Sequence, residues 1–133
     1  MMARPPERMC IWCLLAGMFA TVLLAALCHA LGIAREDQTP GYGLTEYFTG
    51  CISLPVVCVY VGIGATLGGI SRLSSAPAIG LALPLPLACM VEVVLRPSHH
   101  NLWPFELVLL WLPAFGIAWL GAIAGKSLVT RVK

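Results

Sequence analysis

The stretch MCIWCLLAGMFATVLLAALCHALGIA, residues 9–34, contains no Asp, Glu, Lys or Arg. Its length decides the fold. A helix rises about 1.5 Å per residue and a hydrocarbon core is about 30 Å thick, so roughly 20 apolar residues cross it. A secretory signal carries an apolar run of only about 7–15 residues. Arg4 and Arg8 precede the stretch and Gly32-Ile33-Ala34 resembles a cleavage site, but a run this long reads as a retained transmembrane helix. Three more stretches, 47–71, 73–91 and 107–125, are equally free of charge. The sequence therefore predicts an all-α integral membrane protein with four transmembrane helices, over about 10–34, 48–70, 75–95 and 105–125. They are expected to form two antiparallel hairpins, and residues 1–133 a single polytopic domain with no room for a soluble one.

Composition agrees. Of 133 residues, 59% are hydrophobic and 11% charged, against about 25% charged in soluble domains, and mean hydropathy is +0.90. A net charge of +2 gives no nucleic-acid surface. Arg4, Arg8, Arg72, Lys126, Arg131 and Lys133 fall on one side of the predicted membrane and only Arg35 and Arg96 on the other. The positive-inside rule makes the first side cytoplasmic, with both termini inside, in a cell membrane of the bacterial inner or plasma-membrane kind. Trp12 suits the inner interface, and Tyr42, Tyr47 and Phe48 the outer one.

Small residues recur at helical spacing. In the second span Gly62, Ala65 and Gly69 share one face and Gly64, Gly68 and Ser71 the opposite one, which predicts neighbours on both sides. Ala114, Ala118, Gly121 and Gly125 make a stripe along the fourth span, and Cys13, Ala16, Gly17 and Ala20 a patch on the first. Such residues let backbones approach where lipid offers no hydrophobic drive to association. The third span carries LPLPL at 83–87. Pro84 and Pro86 have no N–H, so the carbonyls of Gly80 and Ala82 lose their helical donors and must turn to neighbouring helices or water.

The chemically dense stretch is VEVVLRPSHHNLWPFELVLL, residues 91–110. Glu92 lies one turn before Arg96, at ion-pair spacing. Pro97 ends a helix, Ser98 or Asn101 can cap the next, Pro104 fits its first turn, and Glu106 sits where the helix dipole favours an acid. Trp103 and Phe105 belong at the headgroups. Only His99 and His100 lack a structural role. Glu92, Arg96, His99, His100, Asn101, Trp103 and Glu106 thus form a candidate outer-face site. Imidazoles and carboxylates suit a transition metal, and His99, His100, Glu106 and His29 are the weak candidates for one. Their spacing matches no metal motif, so neither metal nor cofactor is expected. His29 lacks a second histidine at matching depth for haem, and is expected instead to bond a facing helix.

Cys10-Ile11-Trp12-Cys13 has CxxC spacing but no thioredoxin-like unit around it. Of six cysteines, only Cys28 and Cys51 sit toward the outer side, where a disulfide can persist. No nucleophile stands with a base, and no ionisable residue falls at midplane depth, where coupled carriers place one. The expected function is therefore a non-enzymatic membrane subunit or accessory protein that binds copies of itself or another membrane protein. A small homo-oligomeric transporter or channel using Pro84 and Pro86 is the alternative, and an enzyme or metal site at the 96–106 loop the third reading.

Overall fold

The computed structural model describes residues 6–34, 43–95 and 103–131. These form six helices: α1 (Pro6–Ala30), α2 (Leu44–Thr49), α3 (Leu54–Ser71), α4 (Ser75–Ala82), α5 (Pro84–Leu95) and α6 (Trp103–Arg131). Four segments are long and apolar enough to cross a membrane: Glu7–Ala30, Leu54–Ser71, Ser75–Leu95 (α4 with α5) and Leu107–Arg131. Helix is the state that the absence of charge demands, because in hydrocarbon every backbone N–H and C=O needs a partner within its own segment.

The ends of these helices follow local chemistry. The first span stops short of the predicted residue 34 because Gly32 takes φ +66°. Gly32 N–H bonds His29 O at 3.1 Å and Ile33 N–H bonds Cys28 O at 2.9 Å, the paired closure that a left-handed glycine allows at a helix end. The second span does not begin at 48. Pro55 has no N–H and its ring would strike the carbonyl four residues back, so the chain breaks after Thr49. It restarts with Ser53 extended and Pro55 in the first turn of α3. Phe48 and Thr49 belong to the separate short helix α2. At the far end Arg72 takes φ 56°, and Ser71 Oγ donates to Leu67 O (2.6 Å) and accepts from Leu73 N–H (3.2 Å) to close the turn. α6 runs past the predicted residue 125 and carries Pro113 inside it.

The most extensive faces are those of α3 with α6 and of α1 with α4. Along the first, Gly64 meets Ala118 and Ala122, Gly68 meets Ala122, and Gly69 meets Gly125 and Val129. Numbers rise together on both helices, so spans two and four run in the same direction. Both helices carry glycines four apart, Gly64 with Gly68 and Gly121 with Gly125, the small-residue spacing that brings parallel membrane helices together. The contact is backbone on backbone. A Cβ on Gly68 would stand 2.6 Å from Ala122 Cα, and one on Gly125 2.8 Å from Ala65 Cα.

One expectation needs correction within this chain: a Cβ on Gly62 would meet nothing within 4 Å among the described residues. Ala65 and Gly69, like Gly64 and Gly68, meet α6, and Gly64 also lies against the Leu81 side chain of α4, so α6 is the main neighbour of α3, with α1 and α4 in lesser contact. On the other side of the bundle Gly17 of α1 crosses Gly80 of α4, where a Cβ on Gly17 would lie 2.8 Å from Leu81 N and one on Gly80 2.8 Å from Leu14 Cα.

Just above that crossing the LPLPL stretch interrupts the third span at Leu83 alone. Thr21 Oγ1 of α1 donates to Leu81 O at 2.8 Å in a buried bond. A neighbouring helix therefore supplies the side-chain donor at the proline break, on the carbonyl between the two expected ones. Leu81, Pro77 and Cys89 are the largest fully buried side chains here.

Candidate functional site beneath helix α2

Above the glycine crossings the spans part around a cleft of about 290 Å³. Every span contributes to its wall: Thr21 from α1, Tyr60 from α3, Leu85 from α5 and Pro113 from α6, with Phe48 and Cys51 over the top. The lining is almost wholly apolar. The phenolic oxygen of Tyr60 is buried and has no hydrogen-bond partner within bonding distance among the described residues, while the Thr21 hydroxyl on the same wall donates to Leu81 O. A buried donor without an acceptor costs about 1–3 kcal/mol. Thr45 Oγ1 and Ser53 Oγ are likewise buried without partners.

Helix α2 closes the upper side, and three fastenings hold it. Glu92 of α5, only 6% exposed, accepts the Thr45 N–H at 3.0 Å. Its carboxylate occupies the space that a Cβ on Gly43 would need, so a larger residue there would displace it. His29 of α1 supplies the second. Its Nε2 lies 2.8 Å from Tyr47 O, and since a carbonyl can only accept, Nε2 carries the hydrogen. The imidazole also stacks on the Tyr47 ring, centroids 4.0 Å apart and planes within 10°. The third is Cys51, whose thiol donates to Tyr47 O at 3.3 Å. Burial first, and the Cys28 thiol beside it second, push the Cys51 thiol up to about 11. Within α2, Glu46 accepts the Gly43 N–H at 3.1 Å, half of a capping box.

The residues singled out in the sequence scatter. Glu92 belongs to the site, with the Thr45 backbone amide as its observed partner. Arg96, His99, His100 and Asn101 lie outside the described residues. Trp103 and Glu106 fall in the first turn of α6, and their side chains lie outside the description too. His29 bonds a facing segment, as expected, and its Nε2, the nitrogen that haem iron would take, is engaged by Tyr47 O. Among the described residues no three His, Cys, Asp or Glu side chains come together as a metal would require. Pro84 and Pro86 sit at the top of the packed α1–α4 crossing. Gly64, Gly68, Gly69, Gly121 and Gly125 pack within the chain, and Gly62 faces open space.

Two features of the site are not legible in the sequence. The helix α2 straddles the start of the charge-free run at 47, so hydropathy does not delimit it, although Gly50 and Pro55 on either side of Cys51 mark the break. For Tyr60, nothing local shows that its oxygen lacks a partner. No protein family, curated protein or solved structure matches this chain.

Proposed function

We propose that this chain is a small multi-pass membrane protein that works by binding rather than by catalysis: an accessory subunit that receives an apolar group of another membrane component in the cleft beneath α2. The cleft carries this reading, because it is apolar and reached by all four spans. The carboxylate and imidazole that might have served acid–base work, Glu92 and His29, fasten α2 instead. In this reading the termini are cytoplasmic and α2 lies at the outer face. Consecutive spans alternate in direction as hairpins, which the shared direction of spans two and four supports. The transport reading needs the proline break to border a pathway; Leu85 at the break lines the cleft, while Leu81 and Ala82 on the other side of it are 0% exposed.

The test is native mass spectrometry of the tagged protein released from its own membranes. A second component, protein or lipid, at fixed stoichiometry is the expected result, and it is lost when Ala114→Phe fills the cleft. A bare monomer would overturn the proposal. A closed homo-oligomer carrying nothing else would favour transport.

A further inference from the structure

Cys28 and Cys51 both lie toward the end of the bundle read as extracytoplasmic, and the fold brings them together. Cys28 is 3% exposed and Cys51 4%, and with Ala25 they form one buried cluster. Cys51 Sγ lies 3.8 Å from Ala25 O, the carbonyl one turn before Cys28. Both are thiols in the structure. Cys10 and Cys13 lie at least 15 residues earlier on the same helix, roughly 22 Å away at 1.5 Å per residue, so the CxxC pair is out of reach.

We propose that Cys28 and Cys51 are oxidised to a disulfide in the native protein, a covalent clasp from the end of the first span to the loop that opens the second. In the reaction each thiol loses its proton and the pair gives up two electrons to the disulfide of an extracytoplasmic thiol oxidant, which departs as its dithiol. The inference rests on the proposed orientation, since disulfides persist only on the oxidising side of the membrane. It does not depend on what the cleft binds.

The surroundings favour the bond once made. Thiolate is the attacking species in exchange, and a Cys51 thiol whose pKa is pushed up to about 11 stays protonated at neutral pH. Oxidation therefore precedes the docking of α2, while Cys51 is still in water. Afterwards the apolar cluster, with Tyr47 and Phe48 packed against it, shields the sulfurs from reductants. The linkage pins the base of α2 to α1 beside the His29–Tyr47 stack, so the roof of the cleft is held covalently as well as by Glu92.

The experiment uses the full chain carrying only Cys28 and Cys51, with Cys10, Cys13, Cys58 and Cys89 changed to Ser, expressed in its own membrane. Cells are quenched with N-ethylmaleimide in denaturant and the intact mass is measured. The expected product is two hydrogens lighter than the dithiol and carries no maleimide; prior reduction gives two adducts, and a further Cys28→Ser change gives one adduct without reduction. Two adducts in unreduced protein overturn the proposal. A protease-accessible tag at the N-terminus, read on the same cells, then separates the causes. A cytoplasmic N-terminus means the pair does not oxidise, and an external one means the orientation was wrong. Should the four-serine chain fail to accumulate, a proteolytic peptide joining residues 28 and 51 in the wild-type protein decides the matter in the same way.

Discussion

Helices α3 and α6 meet along one seam, yet the two ends of that seam are built on opposite principles. From Val61 down, glycine strips away side chains until backbone touches backbone: a Cβ on Gly121 would lie 2.6 Å from Val61 O. From Tyr60 up, large side chains hold the same helices apart around the cleft. The three buried hydroxyls without partners among the described residues, those of Thr45, Ser53 and Tyr60, all sit at the upper end. At the lower end Ser71 and Thr66 bond carbonyls of their own helix. The lower half is complete in itself, and the upper half leaves something to be supplied. In a bilayer, where apolar burial between helices gains little over lipid, such a difference must come from packing and polar satisfaction.

Replacing Gly68 with Leu attacks the complete half. The new side chain would collide with the Ala122 backbone, and overpacking of this kind costs typically about 1–3 kcal/mol and occasionally more. Reversible unfolding in mixed micelles should show a loss at or above the top of that range. Gly62→Leu, which meets open space, should stay within about 0.5 kcal/mol of wild type. Equal losses at both positions would erase the distinction between a packed seam and a lipid-facing flank.

The clasp on α2 comes next in size. Glu92→Ala removes the acceptor of the Thr45 N–H and leaves a buried donor unanswered, at a cost of about 1–3 kcal/mol. The loss should appear as faster proteolysis between residues 43 and 53, with the lower seam intact. Uniform protection of that segment in the variant would show that α2 is held without its carboxylate.

The smallest effect has the opposite sign. Tyr60→Phe deletes a hydroxyl that has no partner, so the isolated protein should be unchanged or steadier by up to about 1 kcal/mol, since removing an unmatched polar group can be neutral or favourable. A clear destabilisation of the isolated protein would mean that the Tyr60 oxygen is satisfied already, and the contrast between the two halves would narrow.

Much of this arrangement is visible in the chain itself. Four runs without charge mark four membrane-length helices, because the cost of a charge in hydrocarbon is local and needs no knowledge of neighbours. The glycines of the second and fourth spans are legible as packing residues for the same reason. What they pack against is not. The Gly64–Gly69 faces meet chiefly α6, with Leu81 of α4 against Gly64, since the partner of a helix face is set by tertiary geometry. The break at Pro55 was overlooked because hydropathy runs on through it, although proline chemistry forbids a regular helix there. Glu92 stood out as chemically unusual, but its Thr45 partner lies 47 residues away in sequence and no spacing rule reaches that far.

The two principal faces also impose an order of events. Span one finds its most extensive face in span three, and span two its own in span four, so neither of the first two helices emerging from the ribosome is completed by the one that follows it. Until α6 arrives, the backbone groove along Gly64 and Gly68 stands open to lipid with nothing to fill it. Contacts so distant along the chain make assembly slow. Commitment to the fold waits for the last span, and a nascent chain stalled before residue 103 is left with an adhesive glycine face turned toward whatever helix is nearest.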